Sequence, residues 1–400
     1  MECFLPAFFC YTVEVVNFWY SVMQLQLSPL TISQFLADYW QQRPVIIKKG
    51  LLNFSNPCQA DELAGLATEK QIESRLIYKT LDSNPDQWQV ESGPFEGYEQ
   101  YGENNWTLVV QSVNHWLPAV QQFARLFDFI PQWRFDDVMV SFATLGGGVG
   151  PHVDRYDVFI CQGSGRRRWR IGDRNRGDNP IVAHEKLLHV EPFDAIIDEV
   201  VSAGDIVYIP PGFPHEGISL DESMSFSVGY KSTNAVELLS GFADYLIDVE
   251  DRPALLNDSN RKISRYGCID GDDFNRLSCF LQRTLSDENR LADFIGRYYS
   301  QSFSELDLAP DDYEFAEWLS LFSARPLHKL YAVKTLYLDK SINDGIFYVD
   351  GMRQHIDTSP GIIRKLCDAA VISMADVRDE PTVLHWLWEQ TNQGYWYFLE

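Results

Sequence analysis

The chain has 400 residues, of which 45% are hydrophobic and 14% aromatic, and this excludes a disordered, collagen-like or coiled-coil protein. Lys and Arg number 33 against 57 Asp and Glu, and the net charge of −24 repels a phosphate backbone and suits a basic partner. Seven scattered cysteines without a C-x-x-C exclude a disulfide framework or a zinc knuckle and fit a reducing, cytoplasmic setting.

Residues 3–23 form an apolar run interrupted by Glu14, and no Lys or Arg precedes Arg43. A signal peptide needs a positive leading segment, and a membrane span would bury Glu14. Residues 1–22 are therefore read as a non-native extension, with Met23 as the start and no membrane association. Helical spacing at Ile32, Phe35, Leu36 and Tyr39 behind a Thr31 N-cap predicts a helix over 31–41. RPVIIKKG (43–50) reads as a strand, 61–70 and 114–129 as helices, and 88–99 and 106–112 as strand-bearing runs. From Asp136 short β-rich segments follow one another: 138–145, 157–162, 166–171, 195–201, 205–211 and 223–230. Gly- and Pro-rich turns at 146–150, 163–165 and 210–212 punctuate them, which predicts a barrel or jelly roll. After Thr233 the period turns helical over 235–249 and 274–301, and 310–400 mixes helices with short strands.

The chemistry concentrates in GPHVDRYDVF (150–159) and AGDIVYIPPGFPHEG (203–217). His152 and Asp154 are an i, i+2 pair, which a strand presents on one face. His215 follows 61 positions after Asp154, just past the PPG turn and read as the end of a strand. Two histidines and one carboxylate are the ligand set of a non-haem Fe(II) centre with open positions. An isolated H-x-D is most often structural; the glycine turn before this one and the tight turn before His215 favour the metal. The other histidines, His115, His184, His189, His328, His355 and His385, lack ligand spacing and read as surface or capping residues.

With GGGVGPHVDRYDVFICQGSGRRRWRIG and LSGFADYL (239–246), these motifs resemble the JmjC-type 2-oxoglutarate oxygenases, and among them the bacterial ribosomal oxygenases that 3-hydroxylate an arginine of a large-subunit ribosomal protein. The resemblance runs from about Leu25 to the C-terminus. It implies a JmjC, cupin-like double-stranded β-helix core that is β-rich with added helices. It also implies a helical dimerisation region and a C-terminal winged-helix-like domain. The division is 23–232 for the catalytic domain, 233–305 for the helical region and 306–400 for the last domain. It further implies Fe(II) held by His152, Asp154 and His215, 2-oxoglutarate as co-substrate, O2, and a homodimer.

RRRWRI adds a physical argument. Arg167, Trp169 and Ile171 share the apolar face, so Arg167 points inward, where a guanidinium needs an anion. That anion is either the distal carboxylate of 2-oxoglutarate or an internal Asp or Glu. Ser141, and Ser225 or Ser227, are candidate hydroxyl donors to the same carboxylate. Tyr156 and Asp157, just after the ligand pair, are candidate contacts for a substrate arginine, and the acidic chain suits a basic ribosomal protein. The alternatives are histidyl hydroxylation by the same chemistry, or a non-catalytic cupin-like scaffold. DNA binding is not expected, since residues 311–400 hold 8 Lys and Arg against 14 Asp and Glu.

Overall fold

A computed structural model describes residues 23–399 except 80–87, 175–180, 185–186, 250–253, 260, 263, 303–305, 307 and 331; the expectation for residues 1–22 lies outside the described residues. The chain divides into two compact units with the boundary between Ser232 and Thr233, where the texture of the sequence changes.

The first unit is built on two antiparallel sheets. The larger has eight strands in the spatial order Val45–Ile47, Ile206–Ile209, Asp157–Ser164, Ser223–Tyr230, Phe135–Ala143, Trp106–Val110, Ser74–Lys79 and Trp88–Ser92. The smaller has six: Ile181–His184, Leu187–His189, His152–Val153, Pro214–Ser219, Arg166–Gly172 and Ala195–Ser202. This is the expected cupin-like core.

The strand Ser223–Tyr230 shows how the sequence builds it. Polar and apolar residues alternate, yet all eight are buried. Met224, Phe226, Val228 and Tyr230 join the main core with Phe35 and Phe123 from two helices, Ile32–Asp38 and Pro118–Ala124. The serines face the other way, into the barrel, where they must find hydrogen bonds. Ser225 Oγ lies 2.9 Å from Ser141 Oγ, and Ser223 Oγ lies 2.5 Å from Ser219 Oγ. A second cluster fills the interior with Val158, Ile160, Trp169, Ile171, Val201, Val207, Ile209 and Phe213.

Several elements differ from expectation. The helix expected over 114–129 is a 3-10 turn at Val113–His115, the helix Pro118–Ala124 and another 3-10 turn at Arg125–Phe127. Pro118 starts a helix but cannot continue one, since it lacks an amide N–H. The strand Ser74–Lys79 was not anticipated; Arg75 and Lys79 break its apolar pattern. Thr31 does cap its helix, accepting from the Gln34 amide.

In the second unit, Ala235–Val249 is helical as expected. The helix expected over 274–301 is two, Gly271–Leu285 and Glu288–Ser300, because Asp287 caps the second by accepting from the Asn289 and Arg290 amides. Asp293 ties this second helix to Ala235–Val249 and to the strand Ile346–Val349, accepting from the Tyr245 and Tyr348 hydroxyls while it pairs with Arg297. Trp318, Phe322, Leu366, Trp386 and Trp396 centre a separate core among the helices Phe315–Ala324, Pro360–Asp368 and Pro381–Asn392 and two three-stranded sheets. No helix among the described residues is long and apolar enough to cross a membrane.

Candidate active site

His152, Asp154 and His215 converge inside the barrel. Their ligating atoms all lie within 4.8 Å of one another. Asp154 Oδ2 is 3.4 Å from His215 Nε2, Asp154 Oδ1 is 3.9 Å from His152 Nε2, and the imidazole centroids are 4.2 Å apart. The local backbone is not the regular strand the spacing suggested. Only His152 and Val153 are in a strand; Asp154 stands just beyond it. His215 is the second residue of Pro214–Ser219, so it opens a strand rather than ending one, and it pairs directly with His152. The tight turn at Gly212, with φ 86°, starts that strand, and its amide donates to the Asp154 carbonyl at 2.9 Å.

Each imidazole is oriented by the carbonyl two residues before it. His152 Nδ1 lies 2.9 Å from Gly150 O, and His215 Nδ1 lies 2.9 Å from Phe213 O. A carbonyl accepts only, so both Nδ1 atoms carry the hydrogen and both Nε2 lone pairs are left for a metal. Burial and the neighbouring His215 bring the His152 imidazole down to about 4, against the pull of Asp154, so it is neutral at pH 7. Burial pushes the Asp154 carboxyl up, but His152, His215 and a hydrogen bond from Tyr156 together hold it below its ordinary value. Two imidazole nitrogens and one carboxylate suit Fe(II).

Arg167 points inward as the alternation predicted, with 5% of its surface exposed. Its Nε donates to Ser223 Oγ at 3.0 Å and its Nη2 lies 3.5 Å from Ser223 O. Among the described residues no carboxylate pairs with it, and burial alone brings its guanidinium down to about 10. Trp169, two residues along the same face, has a buried indole Nε1 without a hydrogen-bond partner. A buried cation and an orphaned donor in one row call for an anion. Their outward neighbours are all matched: Arg166 pairs with Asp221, Arg168 with Asp198, and Arg170 with Glu216.

Tyr156 lines a cavity of about 250 Å³ together with Glu73, Asp136, Asp137, Met139 and Ser227. Three of its lining residues are acidic and none is basic. Tyr156 also neighbours Asp154, so one side chain borders both cavity and triad. Asp137 is half-buried. It accepts from the Ser112 amide at 2.8 Å and the Ser112 hydroxyl at 3.1 Å, and burial and Asp136 push its carboxyl up to about 6. Sequence reasoning missed Asp137, although its place at the head of an inward-facing strand was a usable signal.

Asp157 does not face this cavity. It is fully buried, and its carboxylate accepts from Tyr208 at 2.6 Å, Gln41 at 2.9 Å, Arg134 at 3.1 Å and Ser232 at 3.2 Å. Its expected substrate contact is corrected to an anchoring role, because these four donors already occupy its carboxylate. His189, expected at the surface, is buried and pairs with His152 across the strand ladder.

Residues 122–238 match the family model described as the JmjC domain. The "Ribosomal protein uL16 3-hydroxylase" of Escherichia coli (strain K12) is 39% identical over 383 residues, covering 94% of this chain and all of that protein. A "Probable ribosomal oxygenase" of Haemophilus influenzae is 35% identical over 54% of this chain and 53% of its own length. The crystal structure of the Escherichia coli ribosomal oxygenase YcfD in complex with cobalt and 2-oxoglutarate matches with a TM-score of 0.84 at 38% identity, over 94% of this chain and all of that one.

Proposed function

The chain belongs to the bacterial ribosomal oxygenases of the JmjC family, and from that premise we propose that it hydroxylates an arginine side chain of a basic ribosomal protein, at the 3-position, using Fe(II), 2-oxoglutarate and O2. Bound iron with 2-oxoglutarate supplies the oxidation of an unactivated C–H bond by O2, with succinate and CO2 as co-products. His152, Asp154 and His215 would hold the iron. Arg167 would take the distal carboxylate of 2-oxoglutarate in a bidentate pair, helped by the Trp169 indole N–H and the Ser141–Ser225 hydroxyl pair.

The acidic cavity beside the triad carries the substrate reading. A guanidinium is permanently charged and carries five donors, so the Asp137 carboxylate and the Tyr156 ring suit it; an imidazole, largely neutral at pH 7, would leave Asp137 uncompensated. Arginine is therefore favoured over histidine. Met139 and Tyr156 offer apolar contact to the methylene stem, and Ser227 a hydroxyl.

We further assign the exposed apolar stripe Phe274, Leu277, Leu281 and Leu285, on one face of Gly271–Leu285, to a second copy of the chain, giving a homodimer. The reading carries a cytoplasmic location with it and calls for no DNA contact.

The test is turnover of an arginine-bearing peptide of the ribosomal protein with Fe(II), 2-oxoglutarate and air, read by mass spectrometry with fragmentation. The expected result is one oxygen gained on arginine, dependent on 2-oxoglutarate and lost in His152→Ala. Succinate without peptide oxidation would overturn the substrate, and oxygen on histidine would select the alternative.

A further inference from the structure

We propose that His189 is the positioning residue for the metal ligand His152, acting through the Val149–Gly150 backbone; this rests on the reading of the triad as a metal centre. His152 lies on a strand of only two residues, directly after a glycine-rich stretch. Such a segment has little ladder of its own to fix it. The direction of the His152 imidazole depends on Gly150 O, which its Nδ1 contacts at 2.9 Å. Whatever holds that carbonyl therefore aims the metal-binding nitrogen.

The segment at 189–190 holds it, residue by residue. His189 Nε2 lies 2.9 Å from Val149 O and, since a carbonyl only accepts, donates to it. Gly150 has φ 79°, and a Cβ there would come within 2.7 Å of His189 Nε2 and 2.8 Å of Trp88 Nε1, so glycine is required for the ring to close on the backbone. The Val190 amide donates to Pro151 O at 3.0 Å. His189 itself is the ladder partner of His152. The ring is buried, with the Trp88 indole edge-on at 6.2 Å. The ligating atoms that cluster are those of His152, Asp154 and His215 only among the described residues, so His189 stands behind the ligand and is not one itself. Pro214 and His215 grip the opposite edge of the same short strand, so His189 completes a two-sided clamp.

Cobalt(II) titration of the metal-free full-length protein, followed by visible absorption, tests this. His189→Phe fills the space without a donor and is expected to weaken cobalt binding by about ten- to a hundred-fold. Its metal-free unfolding midpoint is expected to fall only by what one lost hydrogen bond costs, whereas His189→Gln keeps the parent's. His189→Gln keeps a donor and is expected to bind close to the parent. Parent-like cobalt binding by His189→Phe overturns the positioning role. Should His189→Phe not fold, His189→Asn, whose amide is too short to reach Val149 O, must bind more weakly than His189→Gln; equal binding by the two also overturns it. His152→Ala separates the two layers. If it binds cobalt like the parent, the metal reading itself fails; if it loses binding while His189→Phe does not, the centre stands and His189 has no part in it.

Discussion

Arg167→Met tests the co-substrate assignment through stability. Burial brings the Arg167 guanidinium down to about 10 from its ordinary value, with no carboxylate to offset it among the described residues. At ~1.4 kcal/mol per tenfold change, this costs the metal-free fold roughly 3 kcal/mol. A cation whose pKa falls on folding destabilises the fold at every pH below its folded value, so the cost is present in full at neutral pH. Methionine removes it and fills similar space beside Trp169. The lost bond to Ser223 returns about 1 kcal/mol, and Ser223 keeps its contact with Ser219. The variant is therefore expected to be more stable than the parent, by about 2 kcal/mol, when no 2-oxoglutarate is present. Urea unfolding followed by tryptophan fluorescence measures this directly. With Mn(II) and 2-oxoglutarate at a hundred times its Kd, the parent should gain about 2.7 kcal/mol, and the variant should lose most of that increment. A variant weakened by about 3–5 kcal/mol without ligand would refute the reasoning, since that is the mark of a charge already paired inside the protein.

Asp137→Asn should lower kcat/KM for an arginyl peptide by about a hundred-fold, as expected for a desolvated charge pair worth 2–5 kcal/mol. The parent's activity should fall as pH drops through about 6, where Asp137 takes up a proton, and the Asn variant should lose that inflection. Asp136, Glu73, Lys231, Tyr156 and Ser112 face this group, so Lys231→Met is expected to move the inflection upward. Asp157→Ala should cost about 3–5 kcal/mol by leaving Arg134 buried and unpaired, seen as a lower thermal midpoint. Light scattering should find Leu281→Asp monomeric and the parent dimeric; a dimeric variant would remove the assigned face, on which Leu281 is 65% exposed.

What the sequence disclosed followed the range of the physics. Alternation in Arg166–Ile171 is local, so the inward aim of Arg167 was readable from six residues. That His152, Asp154 and His215 would converge was readable from residue type and from the turns beside them. Asp137 offered only its place near the head of a strand, because its significance depends on Ser112 and Tyr156, which arrive from loops beside other strands. Asp157 was misjudged for the same reason: Tyr208, Gln41 and Arg134 that consume its carboxylate are far away in sequence. His189 lacked ligand spacing, and no periodicity could show that its strand would lie beside the one bearing His152.

The opposed faces of the arginine strand have a kinetic consequence. Its outward arginines are neutralised by Asp221, Asp198 and Glu216, so the protein meets solvent as a polyanion of charge −24 with the positive pole of Arg167 sealed inside. A dicarboxylate approaching from solution is repelled until it reaches that pole, whereas a basic polypeptide is drawn in from a distance. The two reactants should therefore respond to added salt in opposite senses. Screening speeds capture of 2-oxoglutarate and slows capture of the ribosomal protein, and the ionic strength of fastest turnover lies where these trends cross.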